Sequence, residues 1–382
     1  MKLHKTTKEG IYYYFTKDKK KMYSYRHRYM DMTGKRREVA KRGFISESKA
    51  YRALLEVEVQ ITRGETTQLE NRNLTVSEWI DIYYDFHKDM LKPTTRSTKE
   101  SVIEKHIRPL IGHVKLSALD DITYKRLCIN VQLKTLKPST VRANHIIFKT
   151  IVNYAVKKKI IADNTIRDVP IPDHPEPNEN FYTKEELDLF LKYAKQLMNK
   201  TGYIMTILLA YTGVRRAEAL GLMWNNINIK DQTLTIERNR DKFGVRSLKT
   251  NNSYRTIPIS KELINHLEVY RKWCIERKLS IGEQLKHDDF IFITPSTFSP
   301  LDVSSINLSF NYVFKRTDLK KITPHGLRHT HATILLGQGV PVVTIAKRLG
   351  NTPDMIHRIY GHTYKELDEQ CVTLFDEALS LG

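Results

Sequence analysis

A histidine and an arginine stand three residues apart where the sequence predicts the start of a helix. Thr323 is placed to cap this helix, and Pro324 is placed as its first residue. His325 and Arg328 then lie on one face of the first turn, where the unpaired backbone amides also point. A cation beside such amides favours a bound phosphate, so this string predicts an anion site.

Two further cations stand at predicted turns earlier in the same segment. Arg215 follows the predicted glycine end of an apolar helix and begins the next helix, with Glu218 one turn later as an ion-pair partner. Lys249 lies at a predicted turn between two β-like runs, Thr233–Arg238 and Arg255–Ile259. Each cation taken alone is also consistent with an ordinary surface residue.

Two remaining features of this segment carry little information when each is taken alone. Tyr360 stands near the end of a helical stretch and is followed by Gly-His. His325, His329 and His331 could suggest a metal site. No cysteine or carboxylate stands at ligand spacing around these histidines, so no metal is predicted.

Together these residues form a series that is more informative than its members. In chain order, Arg215, Lys249, His325, Arg328 and Tyr360 resemble the active site of the tyrosine recombinases, the lambda-type integrase family. The strings that carry the resemblance are Thr-Gly-Val-Arg-Arg-Ala-Glu from 212, Lys-Thr-Asn-Asn-Ser from 249, His-Gly-Leu-Arg-His-Thr-His-Ala from 325, Leu-Gly-Asn from 349 and Tyr-Gly-His from 360. The resemblance extends over almost the whole chain.

The resemblance implies a reaction in which each residue has a role. Tyr360 would attack the scissile phosphodiester, leaving a 3′-phosphotyrosine and a free 5′-hydroxyl; a phenol of pKa about 10 needs help to do so. Arg215 and Arg328 would hold the two non-bridging oxygens and stabilise charge in the transition state. Lys249 would protonate the leaving 5′-oxygen, and His325 would assist proton transfer to or from the nucleophile. Neither a metal, ATP nor any other cofactor is expected.

One position departs from the family pattern. Most members have His, sometimes Trp, after Leu-Gly, whereas this chain has Asn351. An amide can donate a hydrogen bond to a phosphate oxygen, but it cannot carry charge or shuttle a proton. Asn351 is therefore either a natural variant of this catalytic position or a change that slows cleavage. Glu218 is expected to support the site without taking part in the reaction.

The elements that position these residues predict an α+β, multidomain fold. Residues 1–65 are predicted to form a small three-stranded sheet (Ile11–Phe15, Met22–Met30 and Arg37–Phe44) plus a helix capped by Ser46. The resemblance makes this the arm-type DNA-binding domain of phage and conjugative-transposon integrases. Basic residues on the sheet could enter a DNA groove, although a solvated basic face is the plainer alternative. The residues predicted to contact DNA are Arg26, Arg28, Lys35, Arg36, Arg37 and, in the next segment, Lys157, Lys158 and Lys159.

The middle segment, residues 73–170, is predicted to be helical and resembles the family's SAM-like core-site-binding domain. Thr75 opens its first helix with a capping box. Thr98–Ile107 and Thr123–Leu133 are the next candidates, and a fourth helix begins at Pro138 and ends in three lysines. The stretch Pro170–Pro177 holds four prolines in eight positions, which predicts an extended linker.

Residues 178–382 are predicted to be a mainly helical catalytic domain with a small antiparallel sheet. A capping box at Thr183 opens it. The resemblance implies that an apolar C-terminal helix docks in trans onto a neighbouring protomer, with folding back onto its own domain as the alternative. The apolar stripe of this tail comprises Leu367, Cys371, Leu374 or Phe375, Ala378 and Leu381.

Composition and charge narrow the class of partner. The 382 residues carry a net charge of +20, which points to a polyanion. Three scattered cysteines cannot form a disulfide framework, and no apolar stretch approaches the roughly 20 residues that span a bilayer. A cytoplasmic protein without membrane partners is predicted. The resemblance implies double-stranded DNA with core and arm attachment sites, a tetramer that resolves a Holliday junction, and accessory DNA-bending or excision factors.

Three functions remain under comparison at this point. An integrase-type recombinase accounts for both the catalytic series and the arm-like segment. A type IB topoisomerase-like enzyme would use the same chemistry without exchanging partners, but it needs neither an arm domain nor a docking tail. A non-catalytic DNA-binding regulator would keep the fold without the reaction, and Asn351 is the only residue that favours it.

Overall fold

The structure is a computed structural model that describes residues 2–30, 34–62, 71, 73–172, 180–248 and 250–360, excepting the side chains of residues 358–360. Contacts divide the chain into two compact units, Met1–Pro175 and Glu176–Gly382. The predicted tail stripe after residue 360 lies outside the described residues, as does most of the predicted proline-rich linker. Within the described ranges, no helix is both long and apolar enough to cross a membrane.

The first unit begins with an antiparallel sheet backed by one helix, Glu47–Thr62. Tyr25 is buried in this sheet and packs in one core with Leu54 and Val57 of the helix. The Ser46 hydroxyl accepts a hydrogen bond from the Lys49 amide, as expected of a cap. The sheet has four strands rather than the predicted three, because a two-residue strand is too short to show an alternating pattern. In sheet order the strands are His4–Lys5, Ile11–Phe15, Lys21–Met30 and Arg36–Phe44.

The rest of the first unit is helical and has its own core. Two predicted helices begin earlier than their apolar pattern suggested, because Pro93 occupies the first turn of one and Asp120 caps the other. Both continue through a π-helical turn. Trp79 and Phe148 are among the largest buried side chains of this core. The helical segments are Val76–His87, Pro93–Val102, Ile103–Ile107, Arg108–Ile111, Asp121–Tyr124, Lys125–Ile129, Asn130–Leu133 and Pro138–Lys157, with 3₁₀ turns at Lys88–Met90 and Leu116–Ala118.

The second unit is mainly helical, as predicted, and surrounds one almost wholly apolar helix, Lys200–Thr212. A helix that is apolar all round must be buried on every side, and five other helices of the described residues pack against this one. The helices of the unit are Lys184–Leu197, Lys200–Thr212, Arg216–Leu220, Lys261–Leu279, Ser305–Phe314, Pro324–Gly337, Val342–Leu349 and Pro353–Tyr360.

The predicted antiparallel sheet is present, with one additional element. Strands Ile227–Asn228, Thr233–Ile236 and Arg255–Pro258 form a three-stranded sheet. The segment joining its last two strands is not the simple turn that was predicted. It contains a separate hairpin, Arg238–Asp241 with Gly244–Ser247, whose polar residues gave no alternating signal.

Candidate active site

A glycine turn at the end of the buried helix Lys200–Thr212 begins the site. Gly213 has a φ of +64°, a left-handed conformation that disfavours other residues. A Cβ atom here would lie 2.6 Å from Leu349 Cδ2 and 2.9 Å from His331 Cδ2. Glycine is therefore required both by the backbone conformation and by close packing. The turn positions Arg215, which lies two residues later in the chain.

Arg215 and Glu218 form the predicted ion pair, with a second bond that fixes the start of the next helix. Arg215 Nη1 lies 2.8 Å from Glu218 Oε1, and the Arg215 amide donates to Glu218 Oε2 at 2.9 Å. The Glu218 side chain is only 3% exposed, whereas the Arg215 side chain is 35% exposed. The carboxylate thus holds the arginine from inside while its guanidinium reaches the surface.

The other end of the Arg215 guanidinium contacts the loop that carries the unusual asparagine. Arg215 Nη2 donates to Asn351 Oδ1 at 2.5 Å and to the Gly350 carbonyl at 3.3 Å. Gly350 ends the helix Val342–Leu349 in a left-handed conformation, which turns the chain so that Asn351 faces Arg215. The structure thus brings the predicted Asn351 into contact with Arg215.

Arg328 contacts the same loop from the interior of the protein. Its side chain is buried, with Nη1 donating to the Gly213 carbonyl at 2.9 Å and Nη2 to the Leu349 carbonyl at 2.8 Å. Two arginines that are 113 positions apart therefore hold neighbouring carbonyl groups of one short loop, Leu349–Asn351. Arg328 also fastens this loop to the glycine turn that precedes Arg215.

His325 lies one turn before Arg328, at the predicted helix start. Thr323 caps the helix by accepting from the Gly326 amide at 3.2 Å, and Pro324 is in the first turn. His325 is exposed, and its ring makes an edge contact with His329 at 4.7 Å between ring centres. Partial desolvation and the nearby charges of Arg328 and Arg215 lower the pKa of His325. A neutral ring at physiological pH can accept a proton.

Arg255 is a buried member of the site that the sequence analysis missed. Its side chain is 6% exposed, and Nη2 lies 2.9 Å from Glu218 Oε2. Burial by itself would raise the pKa of Glu218, but the hydrogen bond and charge of Arg255, together with Arg215, outweigh it and hold that pKa below its ordinary value. The only local signal was an arginine at an inward position of a strand.

His331 and Arg348 form a second missed contact, which holds the loop-bearing helix in place. Arg348 Nε donates to His331 Nε2 at 3.0 Å, so His331 Nδ1 carries the proton and donates to the Ala210 carbonyl at 2.9 Å. Burial, followed by the charge of Arg348, lowers the pKa of His331 to about 4. Both ring nitrogens are engaged inside the protein. Among the described residues, no three His, Cys, Asp or Glu side chains are grouped closely enough to hold a metal ion.

Two predicted catalytic residues cannot be placed at side-chain level. Lys249 lies outside the described residues, one position after Leu248. Tyr360 is the last residue of the helix Pro353–Tyr360, nine positions after Asn351, and only its backbone is described. Their roles stay predictions.

The residues predicted to contact DNA lie on the surface of the first unit. Arg26 and Arg28 are exposed but share one partner, Glu38 of the neighbouring strand, at 2.7 and 3.1 Å. Lys158 lies over the rings of Phe86 and Tyr154, with its Nζ 5.7 and 5.4 Å from the ring centres. The remaining residues of this set, all exposed, are Lys35, Arg36, Arg37, Lys157 and Lys159.

Three protein-family models match successive parts of the chain. The model of the arm DNA-binding domain matches residues 11–61. The model of the phage integrase N-terminal SAM-like domain matches residues 75–131, and that of the phage integrase family matches residues 180–366. Each match lies within a different one of the three predicted segments, and the SAM-like model matches only the first part, residues 75–131, of the middle segment.

Relatives and solved structures agree with these matches. The ICEBs1 integrase of Bacillus subtilis is 28% identical over 341 residues, covering 85% of this chain and 89% of that protein. A tyrosine recombinase XerC-like protein of Caldanaerobacter subterraneus is 29% identical over 293 residues, covering 71% of this chain and 74% of that protein. The Tn1549 transposon integrase in complex with a circular intermediate DNA superposes with a TM-score of 0.65 at 18% identity, covering 78% of this chain and 99% of that one.

The fold is thus shared with integrase-type recombinases, and the site contains the paired arginines that the family resemblance implies. The chain belongs to the phage integrase family, whose members are tyrosine recombinases that cleave and rejoin DNA. DNA is accordingly its partner. The family resemblance and the predicted fold class are confirmed.

Proposed function

We propose that this protein is the site-specific recombinase, or integrase, of a mobile element, and that it acts through a 3′-phosphotyrosine at Tyr360. The observation that supports this most directly is the convergence of Arg215 and Arg328 on the single loop Leu349–Asn351. These arginines come from distant parts of the chain. Tyr360 follows the same loop by nine residues.

The contacts of the two arginines suit a phosphodiester. A guanidinium donates hydrogen bonds in a fixed fork that matches phosphate oxygens, and it stays charged at every working pH. Arg215 now binds neutral oxygens of Gly350 and Asn351. A charged phosphate oxygen is a stronger acceptor, so it would displace at least one of them. Arg328 would stabilise phosphate charge from the buried side of the site.

The cleavage step is a transesterification in which the number of phosphoester bonds does not change. The Tyr360 oxygen attacks phosphorus while the bond from phosphorus to the 5′-oxygen breaks. The phenol proton passes to neutral His325, and Lys249 gives a proton to the departing 5′-oxygen. Attack by a 5′-hydroxyl from the partner duplex reverses these transfers and releases Tyr360. Since the covalent bond conserves the phosphodiester energy, neither ATP nor a metal is needed.

The remaining segments would bring DNA to this site. Residues 1–65 would bind arm sites, residues 73–170 would bind the core site, and residues 178–382 would cut. Four protomers on two duplexes would form and resolve a Holliday junction, with the apolar tail of each docked on its neighbour. Accessory DNA-bending or excision factors would set the direction of recombination, and the cytoplasm would be the place of action.

A suicide substrate tests this proposal. The full-length protein is incubated with core-site DNA nicked close to the scissile phosphate, so that the released fragment diffuses away and the covalent adduct accumulates. The wild-type protein should give an adduct on denaturing gels, and Tyr360→Phe should bind DNA equally but give none. An adduct formed by Tyr360→Phe would remove this tyrosine as nucleophile.

A second substrate pair separates a recombinase from a topoisomerase-like enzyme. A recombinase should join strands between two duplexes that each carry the core site, whereas a topoisomerase would relax a supercoiled plasmid without exchange. Relaxation without any recombinant product would contradict the integrase assignment while leaving the phosphotyrosine chemistry intact.

A further inference from the structure

We infer that Arg255 is a positioning residue for DNA cleavage, which acts by holding Glu218 and, through it, Arg215. The inference rests on the proposed function, because it concerns the same reaction. Arg255 is neither one of the cations of the predicted catalytic series nor a surface residue. Its bonds join three segments that meet at the site.

The first contact is a carboxylate shared by two arginines. Glu218 Oε1 lies 2.8 Å from Arg215 Nη1 and 3.4 Å from Arg255 Nη1, while Oε2 lies 2.9 Å from Arg255 Nη2. Arg255 therefore binds both oxygens of the carboxylate with both ends of its fork. This fixes the plane of the carboxylate and hence the direction in which Arg215 is held.

The second contact is with the loop that carries Asn351. Arg255 Nε donates to the Arg348 carbonyl at 2.8 Å, in the last turn of the helix before that loop. A Cβ atom on Gly350 would lie 2.8 Å from Arg255 Nη1, so the loop passes directly over the guanidinium. Arg255 thus holds the chain just before Gly350 and Asn351, the two residues that Arg215 contacts through Nη2.

The third contact is with the segment that follows Lys249. Arg255 Nη1 donates at 2.9 Å to the carbonyl of Ser253, in the 3₁₀ turn Asn251–Ser253. One buried side chain therefore ties together the Arg215 turn, the Asn351 loop and the chain just beyond the predicted general acid.

Charge gives Arg255 a second effect on Arg215. The guanidinium groups of Arg215 and Arg255 and the carboxylate of Glu218 leave this cluster with one positive charge in excess. Without Arg255, the Glu218 carboxylate would balance Arg215 alone, and the cluster would be neutral. A neutral cluster attracts a phosphate less strongly, and a carboxylate with one partner pulls that partner further from solvent.

The competing explanation is that Arg255 only stabilises the fold, as any buried ion pair does when one member is lost. The two explanations differ in how Arg255 combines with Arg215. If Arg255 acts through Arg215, its replacement should hardly lower the cleavage rate further once Arg215 has been removed. If Arg255 is purely structural, its replacement should lower the cleavage rate by the same factor whether or not Arg215 is present.

The experiment measures single-turnover cleavage of the suicide substrate at saturating protein by full-length Arg255→Gln, Arg215→Ala and the double variant. Lys278→Gln is the matched control, because Lys278 is also a mostly buried cation with two acidic partners, Asp289 and Glu283, and none of its partners is in the site. Binding to intact core DNA and the urea midpoint are measured for every variant.

Arg255→Gln should lower the cleavage rate about tenfold to a hundredfold, by analogy with loss of an outer partner that orients a functional side chain. In the Arg215→Ala background, the same substitution should lower the cleavage rate less than about threefold, since the effects of coupled residues are not additive. Lys278→Gln should cleave at the wild-type rate despite a lower urea midpoint. The inference would be overturned if Arg255→Gln lowered the cleavage rate by the same factor with and without Arg215. It would also be overturned if Arg255→Gln cleaved at the wild-type rate.

Arg255→Lys covers the case in which the glutamine variant does not fold. Lysine keeps the charge but cannot span both carboxylate oxygens and the Arg348 carbonyl. It should fold and cleave more slowly than wild type, at about one tenth of the wild-type rate or below, and this deficit should again be lost in the Arg215→Ala background. A full wild-type rate would contradict the need for the fork. Failure of wild-type protein to form any adduct would instead contradict the proposed function.

Discussion

Asn351 Oδ1 accepts a hydrogen bond from Arg215 Nη2 at 2.5 Å. Because a guanidinium can only donate, the amide oxygen must face Arg215 and the amide NH₂ group must point elsewhere. The residue that departs from the family pattern is therefore an acceptor that holds Arg215, the arginine predicted to bind the phosphate, before DNA arrives. A phosphate oxygen must compete with it for the same N–H group.

This contact predicts a strong effect of charge at position 351. Asn351→Asp keeps the shape but adds a carboxylate, which would hold Arg215 as an ion pair and repel the phosphate. Single-turnover cleavage should fall by about tenfold or more, because this bond must break before the phosphate binds. Asn351→Ala, which removes the acceptor without adding charge, is the control and should lose less. Equal losses would show that competition for Arg215 does not matter.

A second prediction tests whether the asparagine at position 351 slows DNA cleavage. Asn351→His restores the residue type that most family members carry and adds a group that can carry a proton. If asparagine slows cleavage here, the histidine variant should form adduct several-fold faster on the suicide substrate. Equal rates at saturating protein would show that the amide serves adequately.

Acid should destabilise the second unit through two of its buried histidines. Burial is the main cause that lowers the pKa values of His329 and His331 to about 4, below the ordinary value of about 6.5. Stability from these neutral rings is complete above about pH 6.5 and is lost as pH falls towards 4. The free energy of unfolding should decline over this window by an amount on the order of 1–3 kcal/mol, and the urea midpoint should fall with it.

The variant His331→Gln checks the cause of that decline. Glutamine removes one titrating ring, so its midpoint should be lower at pH 7 but should fall less steeply between pH 6.5 and 4.5. His331 is a suitable choice because protonation would place an N–H group against the Arg348 Nε donor. An unchanged slope would show that other groups govern the acid response.

The glycine turn at Gly213 predicts a large cost for a single added methyl group. Gly213→Ala combines a left-handed φ with contacts of 2.6 and 2.9 Å, so unfolding should become easier by about 2–4 kcal/mol. Gly282→Ala is the matched control, since Gly282 has a φ of +79° but nothing within 4 Å of an added Cβ, and it should cost about 1 kcal/mol. Similar losses in both variants would contradict the packing argument.

The ion pairs on the four-stranded N-terminal sheet lead us to predict a substitution that increases DNA affinity. Glu38 pairs with both Arg26 and Arg28, and hydrogen bonds from Arg28 and then Arg26 hold its pKa below the ordinary range. If this face binds arm-site DNA, Glu38→Gln should tighten binding several-fold and steepen the dependence of log Kd on log salt concentration. Arg28→Gln should do the opposite. Unchanged arm-site binding by both variants would indicate that the face does not touch DNA.

Short-range features of the fold were predictable because their causes are local in sequence. The capping boxes at Thr75 and Thr183 and the cap at Thr323 form as predicted, each over three residues. The long strands and the Arg215–Glu218 pair are also local. The strand His4–Lys5 and the hairpin after Ile236 were missed because short or polar strands carry no alternating pattern.

The missed contacts are those between residues that are distant in sequence. Arg255 meets a carboxylate 37 positions earlier and a carbonyl 93 positions later. Arg348 meets His331 across two helices. Glu38 pairs with both Arg26 and Arg28 only because the strand register brings them side by side. Charge counts along the chain cannot reveal such pairs, since they depend on tertiary packing.

The helix Pro353–Tyr360 gives the spacing between Asn351 and Tyr360 a rotational meaning. Each residue of an α-helix turns the chain by about 100° and advances it by about 1.5 Å. One residue inserted after Pro353 would therefore swing the position of Tyr360 by more than a quarter circle while lengthening its reach by little more than one bond. The number of residues between Asn351 and Tyr360 therefore fixes the direction of Tyr360 around the helix axis. Insertions in this helix should be tolerated best when they add a whole number of helical turns, not simply when they are short.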